Sequence, residues 1–288
     1  MTDPVFLAIV LSVVSAICYA TAAVVQERTA ANTAKLRDTL TRGFWWWSVV
    51  LNTTGALMHV GALRYGPLTL VQPLGALTLV AAVPLGSLAA HHRTTATQWR
   101  GMVFTLIGLT ALLSVTASGA PDNTLHTNDV LVIALTAAVV IAVLISFTSA
   151  GSTLGGIAFA TASGIASGVG STLAQTLVVG PALSWEVALV AVLTAAFAGG
   201  GLLLSQKAYS SGLGGPLAVL TLVNPVTASV IGVVLLGERF EYGLTGILLA
   251  VGGSAVAAYG VVLLSRPQPH VPRHARHRSR IAVPRRLL

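Results

Sequence analysis

Two segments in opposite halves of the chain place an amide side chain directly before a proline within an apolar run. Gln72-Pro73 follows a Gly-Pro pair at 66–67, and Asn224-Pro225 follows one at 215–216. A proline inside a membrane helix frees a backbone carbonyl, and an amide adds donors and acceptors. Matching interruptions in two halves indicate a transporter's binding site. We predict that the amides contact a solute and the prolines shape the helices, although the amides could instead satisfy the freed carbonyls or join helices.

Other polar residues in apolar runs are candidates for the same solute-binding site. Asn52 and His59 are seven positions apart and therefore share one face of a helix. Hydrogen bonding between helices would explain this pair equally well. Gln175 lies 149 positions after Gln26, an offset close to the 152 positions that separate the two amide–proline pairs. Pro84 is a candidate for a further bend.

Charged and polar residues at predicted span ends have two interpretations. Glu238 and Arg239 follow Leu-Leu-Gly, and they could form a gate or an exposed interfacial ion pair. Gln26 and Gln206 fall at predicted inner ends, where interfacial placement explains them without a function. All eight Asp and Glu residues fall in connections or at span ends. Amides, hydroxyls and carbonyls suit a neutral or zwitterionic solute, or a cation that keeps part of its hydration shell, as magnesium does. No metal ligands can be named.

The composition indicates a protein that crosses a membrane several times. Of 288 residues, 55% are hydrophobic and only 8% are charged, whereas soluble domains have about 25% charged residues. The single cysteine, Cys18, excludes a disulfide within the chain. The sequence has no His-Glu-x-x-His zinc motif, no phosphate loop with lysine and no Gly-x-Ser-x-Gly. We therefore expect neither an enzyme nor a bound cofactor.

The apolar runs predict an all-α integral membrane fold with about nine transmembrane helices. Each run is long enough to cross about 30 Å of hydrocarbon. Runs one to four and six to nine correspond, with the fifth as a linker, so the second four-helix repeat must be inverted relative to the first. The predicted membrane domain, 1–264, comprises repeat one (5–118), a linker span (130–147) and repeat two (153–264). The nine runs lie near 5–25, 44–63, 67–90, 101–118, 130–147, 153–179, 187–205, 213–236 and 243–264.

The positive charges predict the orientation in the membrane. With the N-terminus outside, 14 of the Lys and Arg residues lie on the cytoplasmic side and 2 lie outside. Seven of the 14 are in the last 23 residues, a proline-rich segment that we expect to be disordered from 265 to 288, close to anionic lipid headgroups. This concentration explains the net charge of +8 without nucleic acid. We expect a plasma-membrane protein with its C-terminus in the cytoplasm.

Several of these motifs resemble the drug/metabolite transporter (EamA-like) superfamily. The segment from Pro225 to Arg239 is similar to the superfamily's proline-to-Leu-Gly-Glu signature, and the glycine-spaced span at 243–264 also fits. The nine-span plan resembles NIPA-type magnesium transporters, as do Val24 to Arg28, the tryptophan run at 45–47 and ALRYGPLTLVQPLG at 62–75. The first half departs from the signature, with Ser87 after Leu-Gly. The resemblance covers about 5–264 and implies transport of a small solute or cation, magnesium included.

These patterns together predict a multi-pass carrier that moves a small solute or cation by alternating access. An exporter of a small metabolite or a drug-like amine is an alternative within the same class. An alternative of another class is a non-transporting scaffold or regulatory subunit, which the arginine-rich tail favours. The faces of small residues serve packing within the bundle and would equally support a homodimer.

Overall fold

A computed structural model describes residues 4–32, 36–65, 74, 76–91, 93–116, 127–146, 148, 153–179, 185–235 and 242–266. Within these residues every regular element is a helix, which confirms an all-α fold. A short 3₁₀ helix, Tyr209–Ser211, precedes the ninth α-helix. The α-helices are α1 (Pro4–Ala31), α2 (Leu36–Leu40), α3 (Gly43–Tyr65), α4 (Leu77–Ala89), α5 (Ala96–Thr116), α6 (Thr127–Ser146), α7 (Thr153–Val179), α8 (Trp185–Ala208), α9 (Gly214–Leu235) and α10 (Gly243–Leu264).

Seven of the described helices are long and apolar enough to cross a membrane: α1, α5, α6, α7, α8, α9 and α10. The protein is therefore membrane-embedded and multi-pass. Helix α3 covers the predicted second span with 23 residues but is not among the seven. Helix α4 covers the second part of the predicted third span with 13 residues, and most of the first part lies outside the described residues.

Local sequence signals explain where α5 begins and how hydroxyls inside the helices are satisfied. At the start of α5, the backbone N–H of Thr95 donates to Gln98 Oε1 at 2.9 Å, and the N–H of Gln98 donates to Thr95 Oγ1 at 3.3 Å. This reciprocal pair is a capping box. Inside the helices, threonine hydroxyls such as those of Thr105 and Thr194 donate to the carbonyl four residues earlier. Such bonds let polar side chains lie in an apolar environment.

The helices pack in two sets that have the same internal order. In the first set α1 packs most extensively against α3 and then α4, and in the second set α7 packs against α8 and then α9. Helix α6 packs mainly against α7. Among the described helices, the most extensive pairing joins the two sets, between α5 and α10. A shared core of buried small and branched residues also connects them, with Ala20 of α1, Leu79 of α4, Phe159 of α7 and Leu217 of α9.

One hydrogen bond recurs between the first two members of each set. Ser15 Oγ of α1 donates to the backbone oxygen of Gly55 in α3 at 2.7 Å. Ser163 Oγ of α7 donates to the backbone oxygen of Gly201 in α8 at 2.8 Å. The serines are 148 positions apart and the glycines 146. In both places a glycine brings the second helix close enough for a serine to reach its backbone.

Helices α5 and α10 meet backbone to backbone along a seam of four glycines. A methyl group at Gly101 would lie 2.9 Å from the oxygen of Gly260, and one at Gly260 would lie 2.6 Å from the oxygen of Gly101. Gly108 and Gly253 oppose each other in the same reciprocal way, and a methyl group at Gly253 would lie 2.7 Å from the oxygen of Gly108. Since the earlier glycine of each helix faces the later glycine of the other, the two helices are antiparallel.

The contacts place several helix ends at one end of the bundle. Trp45 near the start of α3 bonds to Gln206 near the end of α8, and Gln206 bonds to Gln26 near the end of α1. Leu213, just before α9, lies against Gly86 near the end of α4. The charge pattern predicts that these same helix ends lie on one side of the membrane, and which side that is stays a prediction. The helix ends at this level are those of α1, α4, α8 and α10 and the starts of α3, α5, α7 and α9.

Candidate functional site

The Asn224-Pro225 segment of α9 lies against two glycines of α7. A methyl group at Gly164 of α7 would lie 3.3 Å from the backbone nitrogen of Asn224. One at Gly168 would lie 2.7 Å from the backbone oxygen of the same residue. The two glycines therefore receive the backbone of Asn224 directly, and a larger residue would push α9 away. The Asn224 side chain is half-buried, as are the residues on both sides of it from 220 to 229.

Two of the predicted helix-shaping prolines lie within helices. Pro225 is inside α9 and Pro84 is inside α4. Each removes one backbone donor and leaves the carbonyl four residues earlier without its helical partner. In α9 that carbonyl belongs to Thr221, whose hydroxyl donates to the oxygen of Leu217 at 2.7 Å. The segment from 221 to 225 therefore combines a free backbone carbonyl with the Thr221 hydroxyl and the Asn224 amide.

Several predicted site residues lie outside the described part of the chain. These are Gln72, Pro73, Glu238 and Arg239. Gln175 lies in α7, but its side chain is outside the described residues. The predicted proximity of Gln72 to Asn224 and the predicted gate pair therefore stay predictions.

Asn52 and His59 lie on α3, half-buried, as the seven-residue spacing predicts for one face. The Asn52 Nδ2 group donates to the backbone oxygen of Ser48 in its own helix at 2.8 Å. Helix α3 packs chiefly against α1, whereas Asn224 belongs to α9, which packs chiefly against α7. Among the described residues, α3 and α9 are not a closely packed pair. Asn52 and His59 therefore lie on a helix that does not pack extensively against α9, and their place in the solute site stays a prediction.

A buried polar cluster that sequence reasoning did not assign to the site joins three helices. The Trp45 Nε1–H group donates to Gln206 Oε1 at 3.0 Å, and Gln206 Nε2 donates to the backbone oxygen of Gln26 at 2.9 Å. Ser205 Oγ lies 3.1 Å from Gln26 Oε1 and 2.9 Å from the oxygen of Leu202. Its single proton serves one of these acceptors at a time. We call Gln26, Trp45, Ser205 and Gln206 the amide cluster.

The amide cluster is buried between helices, so interfacial exposure does not account for Gln26 and Gln206. Its four side chains are 2–4% exposed. The helix patterns place Gln26 and Gln206 at the same level, but they do not predict the contact between them. Nothing in either pattern indicates which neighbouring helix each amide faces. The nearest signal is a tryptophan at the start of α3 on the same predicted side, since a buried indole N–H usually finds an acceptor.

Two buried side-chain atoms of α1 have no hydrogen-bond partner among the described residues: Ser12 Oγ and Gln26 Nε2. Buried polar groups are normally satisfied, so each such atom calls for an explanation. Gln26 has donors near its side-chain oxygen and at its backbone carbonyl, from Ser205 and Gln206. Its side-chain nitrogen Nε2 is therefore the group that still needs a partner. Water, a ligand with an acceptor group, or a half-turn of the amide that directs Nε2 at Ser205 Oγ would satisfy it.

The described residues contain no group of three or more His, Cys, Asp or Glu side chains that could hold a metal ion. Comparisons with protein-family models, curated proteins and solved structures find no match to this chain. The arrangement that remains is a half-buried amide and proline at a glycine-lined helix crossing, and a buried amide cluster that ties α1 and α3 to α8.

Proposed function

We propose that the protein is a carrier that moves a small solute or cation by alternating access, built from two inverted four-helix repeats. The proposal rests on the glycine seam between α5 and α10. Gly101 and Gly108 precede Gly253 and Gly260 by 152 positions, the same offset that separates Gln72-Pro73 from Asn224-Pro225. The same offset of 152 positions therefore relates the glycines of the seam to each other and the two predicted binding segments to each other. The repeats are those predicted, 5–118 and 153–264, with α6 as the linker.

The direction of the helices in the seam supports an inverted repeat over a parallel one. If two copies of a unit are related by an axis along the membrane normal, equivalent helices run parallel. If the axis lies in the membrane plane, equivalent helices run antiparallel. Helices α5 and α10 are equivalent by the 152-residue offset and are antiparallel by their contacts. The matching Ser15–Gly55 and Ser163–Gly201 hydrogen bonds support the same division.

The proposed solute path lies between the first set of helices and the second, beside α1, α4, α7 and α9. Asn224 would face it from α9 and Gln72 from the equivalent segment of repeat one. The amide cluster would close the path at its inner end, because it bonds α1 of one repeat to α8 of the other. Alternating access would then require these hydrogen bonds to break when the inner end opens, while the glycine seam acts as the pivot.

The proposed substrate follows from the donors and acceptors. The described spans offer amides, hydroxyls and backbone carbonyls, which suit a neutral or zwitterionic solute or a partly hydrated cation. Transport of magnesium, or another divalent cation, is the version that follows from the resemblance to the NIPA-type branch. The resemblance to the drug/metabolite transporter superfamily supports the export of a small amine or metabolite equally well.

Flux through purified protein in sealed liposomes tests this proposal. The panel contains Mg²⁺, followed with an indicator dye inside the vesicles, and radiolabelled amino acids, amines and nucleosides. We expect at least one to cross faster than in empty vesicles. We also expect the double variant Gln72→Leu, Asn224→Leu to reduce that flux roughly tenfold or more, since each amide that contacts solute in the transition between states contributes about 1 kcal/mol or more.

The control is Asn32→Leu, an amide beyond the end of α1 that donates to the backbone oxygen of Arg28. It should leave the flux unchanged. Unchanged flux in a correctly inserted double variant would remove the two amides from the mechanism. If no member of the panel crosses sealed liposomes that contain correctly inserted protein, the scaffold alternative is favoured.

A further inference from the structure

The α5–α10 pair forms an open groove at the end of the bundle where the amide cluster lies. Thr97, Arg100 and Phe104 recur at helical spacing on one face of α5, and Tyr259 and Leu263 do so on α10, with Arg266 just after its end. The glycine seam draws the two backbones together beneath these side chains, so the side chains line the walls of a cavity of about 440 Å³. This cavity is separate from the Asn224 segment and from the amide cluster.

The mouth of the groove carries two guanidinium groups. Arg100 and Arg266 are both exposed, and no acidic side chain is among the described residues that line the groove. Two arginines that share one opening repel each other unless an anion lies between them. A guanidinium presents its donors in a planar fork that matches the oxygens of a phosphate, so a phosphate group would use both side chains.

The body of the groove is lined by Phe104, Tyr259 and Leu263 and is open to the outside of the bundle. The rings of Phe104 and Tyr259 meet edge to face with centroids 5.3 Å apart. Phe104 is 37% exposed and Tyr259 is 52% exposed, so both rings also have a free surface. Phe104 lies about 6 Å deeper along α5 than Arg100, which is one turn of helix. The charged mouth is therefore at the membrane surface, and the rings lie where an acyl chain begins.

From this arrangement we propose that the α5–α10 groove is a binding site for an anionic phospholipid. The phosphodiester lies between Arg100 and Arg266, and an acyl chain runs along Phe104, Tyr259 and the exposed apolar residues below them. The proposal does not depend on transport.

The chemistry of the groove favours a lipid over the other available occupants. The segment after Arg266 has six arginines and three histidines and no acidic residue, so it cannot neutralise the two guanidinium groups. A soluble phosphate would satisfy the arginines but leave the aromatic walls uncovered. A zwitterionic lipid would bring a choline cation to the same opening. An anionic phospholipid matches both the charge and the apolar surface.

The experiment uses the full-length purified protein in a neutral detergent. Thermal unfolding and native mass spectrometry are recorded with phosphatidylglycerol and with phosphatidylcholine that has the same acyl chains. We expect phosphatidylglycerol to raise the unfolding midpoint and to remain bound, and phosphatidylcholine to do neither. We expect Arg100→Gln together with Arg266→Gln to weaken phosphatidylglycerol binding roughly tenfold or more. Added salt should weaken the wild-type effect.

A matched control removes two other exposed arginines of the same predicted side, with Arg28→Gln and Arg37→Gln. It should keep the wild-type response. Equal loss in the control would show general attraction of charge and overturn the site. Equal protection by inorganic phosphate alone, or by phosphatidylcholine, would also overturn it.

A second double variant provides the test if the variant with Arg100→Gln and Arg266→Gln does not fold. Arg100→Lys with Arg266→Lys retains both charges but not the planar fork. We expect the same unfolding midpoint as wild type without lipid and a weaker response to phosphatidylglycerol. A wild-type response in this variant would contradict recognition of the phosphate by the two guanidinium groups.

Discussion

At the scale of single residues, the amide cluster shows how polar side chains are used inside this protein. The donors of Trp45 and Gln206 are directed at oxygens of neighbouring helices, and all four cluster side chains are excluded from solvent. In such surroundings a hydrogen bond contributes modestly when it is made, but an unpaired donor or acceptor is costly. The cluster therefore determines which helices can be neighbours at this end of the bundle.

We predict that Gln206→Leu lowers the free energy of unfolding by roughly 1–3 kcal/mol. The substitution leaves the Trp45 indole N–H and the Gln26 carbonyl in a buried place without this partner. Thermal unfolding in detergent measures the change. Ser210→Ala is the control, because its exposed hydroxyl donates within its own turn to the oxygen of Lys207. A midpoint for Gln206→Leu equal to that of the control would contradict the prediction.

At the scale of helices, glycine has two different roles that the sequence does not separate. Gly253 lies against the backbone of α5, whereas a methyl group added at Gly252, one position earlier, would have no neighbour within 4 Å. The same contrast holds for Gly201, which contacts α7, and Gly199 and Gly200, which face open space. A glycine-rich run therefore marks a helix that packs closely, but only one residue in the run makes the contact.

We predict that Gly253→Ala destabilises the protein by about 1–3 kcal/mol. The new methyl group would lie 2.7 Å from the oxygen of Gly108 and 3.0 Å from the nitrogen of Leu112. Both are backbone atoms that cannot rotate away, so α5 and α10 must separate. Gly252→Ala is the matched control and should be neutral or stabilising by about 0.5–1 kcal/mol, since alanine is the better helix former. Equal unfolding midpoints for the two variants would contradict the prediction.

The lengths of the apolar runs, and the prolines and glycines that separate them, predict most of the helices and their order along the chain. The runs near 5–25, 101–118, 130–147, 153–179, 187–205, 213–236 and 243–264 all correspond to helices long enough to span. The second predicted run also forms a helix, but its amide, hydroxyl and imidazole side chains make it less apolar. The third is described only in part, so the count of nine stays a prediction.

The candidate site was predictable only in part. The proline beside Asn224 is evident from the sequence, but the structure shows it inside the continuous helix α9, where Gly164 and Gly168 receive the Asn224 backbone. The contacts of Gln26 and Gln206 could not be predicted, because they span 180 positions. The pairing of helix faces depends on the packing of the whole bundle. It therefore cannot be predicted from the sequence of a single helix.

At the scale of the whole molecule, helices α1 and α7 run in opposite directions. The start of α7 lies beside the end of α8, since Gly156 is close to Ser211 and to the oxygen of Ala208. The end of α1 lies at this same level through Gln26 and Gln206. Helices α1 and α7, which are equivalent in the proposed repeat, thus begin at opposite ends of the bundle.

We predict that single cysteines at these two helix starts react from opposite sides of the membrane. Pro4→Cys and Leu154→Cys occupy exposed positions 150 apart and are introduced into a Cys18→Ala background. A membrane-impermeant maleimide applied to intact cells should label the first, and labelling of the second should require opened membranes. The Cys18→Ala protein without a new cysteine is the control. Labelling of both from the same side would contradict an inverted repeat.

We also predict that deletion of residues 267–288 leaves solute flux in liposomes unchanged within about twofold. The amide cluster, the Asn224 segment and the glycine seam all lie before residue 266. A scaffold that acts through its arginine-rich segment would lose its role in the same variant. A large loss of flux, with the deleted protein correctly inserted, would contradict this prediction and assign the segment a part in transport.

The reciprocal glycine contacts have a consequence for how such a chain can be divided. Helices α5 and α10 carry the same spacing of seven residues between their glycines, and each presents the surface that the other requires. A gene that encoded only one half, inserted into the membrane in both directions, would yield two copies able to join through that same surface. A single long chain and a pair of short ones are in this sense two ways to build one assembly.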